Sequence, residues 1–125
     1  MSRLILIFFF LFSFSYSNDI YKAFAVAIYD ENNHGENIQH SKITQNDYNG
    51  ICYTKIAIFG KVSNNSKIDI NIGTSLGNLE NKIPLTNNKN IVIGYEYTFK
   101  HYTVDKGYIE VRVDNKLYDS KVYVK

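Results

Sequence analysis

Ile91-Val92-Ile93-Gly94-Tyr95-Glu96-Tyr97-Thr98-Phe99-Lys100 decides the fold class of this chain. Ile91, Ile93, Tyr95, Tyr97 and Phe99 occupy every second position, so a strand gathers five large groups on one face. A helix would scatter them. A strand with one strongly apolar face needs a second layer against it, which points to a small β-sandwich.

Toward the C-terminus, His101 to Gly107 reads as a loop, and Tyr108 to Asp114 alternates again with Ile109, Val111 and Val113 inward. Asp114-Asn115 or Asn115-Lys116 can supply the left-handed residues of a two-residue hairpin that returns as Leu117 to Val124. Toward the N-terminus, Asn87 to Asn90 is a turn, and Leu79, Ile83 and Leu85 form at best an edge strand, because Pro84 cannot donate to a central ladder. Gly73 to Asn78 is a loop; Ile68, Ile70 and Ile72 alternate with Asp69 and Asn71 in a half-exposed strand, preceded by a turn at Ser63 to Ser66.

Ile51 to Phe59 is apolar on both parities, which predicts a central strand covered on both faces. Asp30 to Gly50 has no sustained pattern, and a structureless loop of that length is uncommon, so Ile38 to Thr44 is expected to form a short strand or turn. Between Asn18 and Tyr29, Phe24, Val26 and Ile28 alternate with three alanines, as in a strand lying under a second layer. The expectation is an all-β, antiparallel, immunoglobulin-like β-sandwich of about seven strands, without internal repeats.

Met1-Ser2-Arg3 followed by Leu4 to Phe12 and by small Ser15 and Ser17 has the three parts of a secretory signal peptide, with cleavage expected after Ser17. The apolar run is about half the roughly 20 residues a membrane span requires. Residues 1–17 are therefore read as the signal peptide and 18–125 as one domain, secreted and extracellular, or periplasmic in a Gram-negative source. No membrane insertion is expected after cleavage.

Five of the eight phenylalanines lie in the signal segment and ten of the eleven tyrosines do not, so the domain's aromatic surface is amphipathic. Removing Arg3 leaves thirteen cations against twelve carboxylates. That balance provides no electrostatic case for nucleic acid. Cys52 is the only cysteine, so it is either a buried thiol or a link to a second chain that would make a dimer.

Chemistry-bearing patterns are sparse. Asp30 to Glu36 opens like a calcium loop but has His34 fifth and Ser41 in the twelfth place, where a bidentate Glu belongs. His34, His40 and His101 match no metal spacing, and no metal or cofactor is expected. Cys52 with a histidine could form a nucleophile and base pair, yet an apolar strand keeps a thiol protonated. Asn64-Asn65-Ser66 is a glycosylation sequon in a turn.

The tyrosines carry the positive signal. Tyr95 and Tyr97 share a face with Phe99, and Tyr102 and Tyr108 lie in or beside the neighbouring C-terminal strands. These four are the expected ligand-binding residues.

Ile43-Thr44-Gln45, the strand Tyr53 to Phe59, Asn65-Ser66 leading into Ile68 to Ile72, Ile83-Pro84-Leu85 and Tyr97-Thr98-Phe99 together resemble small extracellular carbohydrate-binding β-sandwiches of the cellulose-binding family 49 type. The similar strings span about two thirds of the domain. The resemblance implies a sandwich fold and an extracellular setting ahead of a particular ligand, since the chain has no tryptophan, the residue such modules commonly set against sugar rings. The resulting expectation is a non-enzymatic binding module for carbohydrate or a cell-surface glycan. The alternatives are an interaction domain that pairs with an extracellular protein through an exposed strand edge, and a small hydrolase.

Overall fold

The computed structural model describes residues 19–125; residues 1–17, read above as a signal peptide, lie outside them. Ten strands and no helix make two antiparallel sheets among the described residues. The strands are β1 (Asp19–Asp30), β2 (Gly35–Asn37), β3 (Gly50–Lys61), β4 (Ile68–Ile72), β5 (Ser75–Leu76), β6 (Asn78–Thr86), β7 (Val92–Val104), β8 (Gly107–Val113), β9 (Lys116–Asp119) and β10 (Tyr123–Val124). One sheet has the order β2-β1-β3-β7-β6; the other runs β10-β8-β4-β5, with β9 also paired to β8.

The two sheets close face to face over an aliphatic core. Ile56, Ile58, Tyr97 and Phe99 from the first meet Ile70, Ile72, Ile109, Val111 and Val113 from the second, all buried. The decisive stretch behaves as its alternation requires, with Tyr97 opposite Ile56 and Tyr95 opposite Ile58 on the inner side of β7. Its strand runs further than expected. Positions 101–104, read as loop, continue β7, and only Asp105-Lys106 separates it from β8. The hairpin at Asp114-Asn115 forms with both residues left-handed, at φ 51° and 68°. Its returning arm is split: β9 leaves β8 after Asp119, and β10 rejoins it where Tyr123 pairs with Tyr108.

Two expectations about faces are corrected. In β1 the alanines point inward, with Ala23 and Ala25 buried and Phe24 outward. A register shift between Ala25 and Ala27 then reverses the parity and brings Ile28 into the core. β3 is central, flanked by β1 and β7, but the second sheet covers only its inner face. Ala57 on the outer side is buried by neighbouring side chains within the same sheet.

The segment between β2 and β3 is a latched loop. Glu36 accepts hydrogen bonds from the Gln45 and Asn46 amides (2.8 and 3.0 Å) and from the Tyr48 hydroxyl (2.8 Å). Thr44 N–H donates to the Tyr123 carbonyl, Tyr123 N–H to that of Lys42, and Tyr48 N–H to that of Lys125. Ile43 accordingly makes an isolated parallel bridge to Tyr123. The loop's buried backbone groups are thereby satisfied from 75 or more residues away in the chain.

β6 is the exposed edge of the larger sheet, and its donors are blunted. Pro84 has no N–H, and a proline in a strand turns its nitrogen side outward. Lys82, two residues earlier, has its N–H capped by the Asn81 amide oxygen at 2.9 Å. Successive outward positions thus offer little to an incoming strand.

Candidate functional site

Among the described residues no layer covers the outer face of the β2-β1-β3-β7-β6 sheet, and the strand registers fix what it carries. Across β1, β3, β7 and β6, the rows are Tyr29-Tyr53-Lys100-Asn78, Ala27-Lys55-Thr98-Asn81, Phe24-Ala57-Glu96-Ile83 and Lys22-Phe59-Gly94-Leu85. From Tyr53 to Phe59 is six residues of strand, roughly 20 Å. Aromatic rings gather at both ends of that span. The middle carries Ala27, Ala57 and Thr98 around the Lys55–Glu96 ion pair.

At one end the rings of Tyr29 and Tyr53 are parallel, 5.2 Å apart and 10° from coplanar. The Thr98 side chain, two strands away in β7, comes within reach of the Tyr29 hydroxyl. Burial raises the Tyr29 pKa. The Lys100 ammonium sits 5.7 Å from the Tyr53 ring and 5.0 Å from that of Tyr102. Hydrogen bonding to Tyr102, and then to Tyr53, raises the Lys100 pKa against the cost of burial.

At the other end Phe24 stacks on Phe59 at 6.1 Å and Tyr21 leans on Phe59 at 6.3 Å, with Lys22 over the Phe24 ring at 4.9 Å. Gly94 keeps this row low, because a Cβ there would collide with the backbone of Ile58 and Phe59. Round the end of this row, turning to the inner side of β6 and β7, lies an open cleft of about 500 Å³, lined by Tyr21, Lys61, Val62, Asn64, Lys82 and Tyr95 among others. Lys82 lies 4.2 Å from the Tyr95 ring centroid.

The four tyrosines expected to bind do not form one platform. Tyr95 is half-buried and lines the cleft. Tyr97, 6.3 Å from it, is only 3% exposed and belongs to the core, which corrects its reading as an open ring. Tyr102 is exposed beside Lys100, whereas Tyr108 is on the other sheet, edge-on to Tyr123 at 5.1 Å. Sequence reasoning missed Tyr21, Phe24, Tyr29, Tyr53 and Phe59. The available signal was the second parity of β3, where Tyr53 and Phe59 alternate against Cys52, Thr54, Ile56 and Ile58.

Cys52 and His101 are cross-strand neighbours, so the nucleophile-and-base pair can be judged directly. Burial pushes the Cys52 thiol up to about 12 and the His101 imidazole down to about 4. Both His101 nitrogens are engaged: Nε2 with Thr54 Oγ1 at 2.8 Å and Nδ1 with the Ser75 carbonyl at 3.4 Å. A carbonyl only accepts, so Nδ1 carries the proton and the Thr54 hydroxyl donates to Nε2. The thiol is inert, and its burial also removes the interchain disulfide through Cys52.

The Asp30 to Glu36 segment is the turn between β1 and β2. Asp30 Oδ1 accepts from the Asn32 and His34 amides, both at 2.9 Å. Among the described residues no three His, Cys, Asp or Glu side chains are placed to hold a metal ion. No helix there is long and apolar enough to cross a membrane. Comparison with protein-family models, curated proteins and solved structures finds no significant match.

Proposed function

We propose that the domain is a secreted, non-catalytic binding module of immunoglobulin-like type that holds a carbohydrate chain along the outer face of its five-stranded sheet. The observation that carries this reading is the uncovered Tyr29-Tyr53-Lys100-Tyr102 array together with the Phe24-Phe59-Tyr21 group at the far end. Aromatic groups separated by Ala27, Ala57, Thr98 and the Lys55–Glu96 pair suit an extended ligand whose apolar ring faces rest on aromatics while its hydroxyls reach Lys, Glu, Asn and Tyr groups. The face is favoured over the β6 edge as the contact surface because the edge donors at Lys82 and Pro84 are capped or missing.

A glycan array probed with the domain tests the reading. Tyr53→Ala is expected to weaken a hit about tenfold, the equivalent of ~1.4 kcal/mol, while the melting temperature moves little. Binding that survives both Tyr29→Ala and Tyr53→Ala overturns it.

A further inference from the structure

We infer that the sugar chain held by this face is an anionic polysaccharide, bearing carboxylate or sulfate groups; the inference rests on the carbohydrate reading above. Its basis is the distribution of charge. The whole chain is almost balanced, with 14 cations against 12 carboxylates. The four rows of the outer face nevertheless hold Lys22, Lys55 and Lys100 against the single carboxylate Glu96, itself 4.0 Å from Lys55. The cleft round the end of the sheet carries Lys61 and, on the inner side of β6, Lys82, and is lined by no acidic residue. Asp19, opposite Lys61, and Glu80, in the β6 bulge, stand at the margins.

The lysines are also placed with the rings. Lys22 lies over Phe24, Lys55 over Tyr29, Lys100 over Tyr53 and Tyr102, and Lys82 over Tyr95, at 4.2 to 5.7 Å. The ion pairs among the described residues are Lys55–Glu96, Lys67–Asp69 and Arg112–Glu110, so Lys22, Lys61, Lys82 and Lys100 have no carboxylate partner there. A neutral sugar stacking on these rings would compete with ammonium groups for the same aromatic faces. An acidic sugar uses both. Its ring packs on the aromatic while its anion takes the ammonium donors that the cation–π contact leaves free.

The test measures binding of the full domain to polygalacturonate, fully methyl-esterified polygalacturonate, chondroitin sulfate, cello-oligosaccharide and polyglutamate at low and high salt. The expected result is that a charged polysaccharide binds at least about tenfold tighter than either neutral one and than polyglutamate, and that high salt weakens it. Lys100→Gln and Lys22→Gln should each reduce the salt dependence without changing the melting temperature, and Tyr53→Ala should weaken binding at every salt concentration. Chondroitin sulfate carries both anions and polygalacturonate carboxylate alone, so tighter binding of the former assigns sulfate and equal or weaker binding assigns carboxylate. Equal binding of neutral and charged polysaccharide overturns the anionic inference and leaves the platform standing. Equal binding of polyglutamate overturns it in favour of simple charge attraction, and failure to bind any polysaccharide overturns the carbohydrate reading itself.

Discussion

His101 gives the domain its sharpest dependence on pH. Its folded pKa, about 4, lies below the ordinary 6.5, so between those values the unfolded chain takes up a proton that the folded protein refuses. Stability is therefore full above about pH 7 and is lost as pH falls through 6.5 toward 4, by on the order of 3 kcal/mol at the limit. Thermal melts from pH 7.5 to 4.5 should show this decline, and His101→Gln should flatten it. Gly77 leaves no room beside the ring, since a Cβ would come within 2.8 Å of its Cε1, so Gly77→Ala should lower the melting temperature at neutral pH. Cys52 was legible as an inert thiol from the apolar strand around it. His101 continues the inward parity of Tyr95, Tyr97 and Phe99, but a polar residue past the apolar run reads as a strand end when its partners, Thr54 and Ser75, are 47 and 26 residues away.

Among the elements, β6 makes the clearest prediction. Its outward donors are suppressed at Lys82 by the Asn81 side chain and at Pro84 by the proline ring. Asn81→Ala combined with Pro84→Thr should free both and let copies pair edge to edge. Sedimentation velocity should then show concentration-dependent association that the parent lacks; a variant that remains monomeric removes the protective role. Edge position was legible from Pro84 alone, and the β8-β9 turn from Asp114-Asn115. The facing of β1 was not. Alternation of Phe24, Val26 and Ile28 with alanine specifies a face only while the register is unbroken, and the shift at Ala25/Ala27 puts the alanines inside. That shift also turns Phe24 toward the platform, which is why its aromatic end was invisible in sequence.

For the molecule as a whole, the two sides of the larger sheet should respond differently to substitution. Tyr97→Leu removes a buried ring and should cost stability, about 2 kcal/mol or several degrees of melting temperature, whereas Tyr53→Ala should mainly cost binding. Paired melting and binding measurements separate them. Glu36→Gln weakens the clamp on the β2-β3 loop: burial raises the Glu36 carboxyl pKa, but bonds from Gln45, Asn46 and Tyr48 outweigh it and hold the pKa below the usual 4.5. Its stabilisation is lost as pH falls below about 4.5, so it adds a second decline below the onset of the His101 one. Hydrogen exchange at Thr44 and Tyr48 should accelerate selectively in this variant.

The same loop constrains the order of assembly during synthesis. Its backbone partners are residues 123 to 125, so until those residues leave the ribosome it has only the Glu36 clamp to close against. The nascent chain must carry the loop open past the formation of every hairpin between β6 and β9. Closing it is a contact across about three quarters of the described length, late and slow by loop-closure entropy. A chain cut before Tyr123 would keep the other strands but leave this loop held by Glu36 alone and open to proteases.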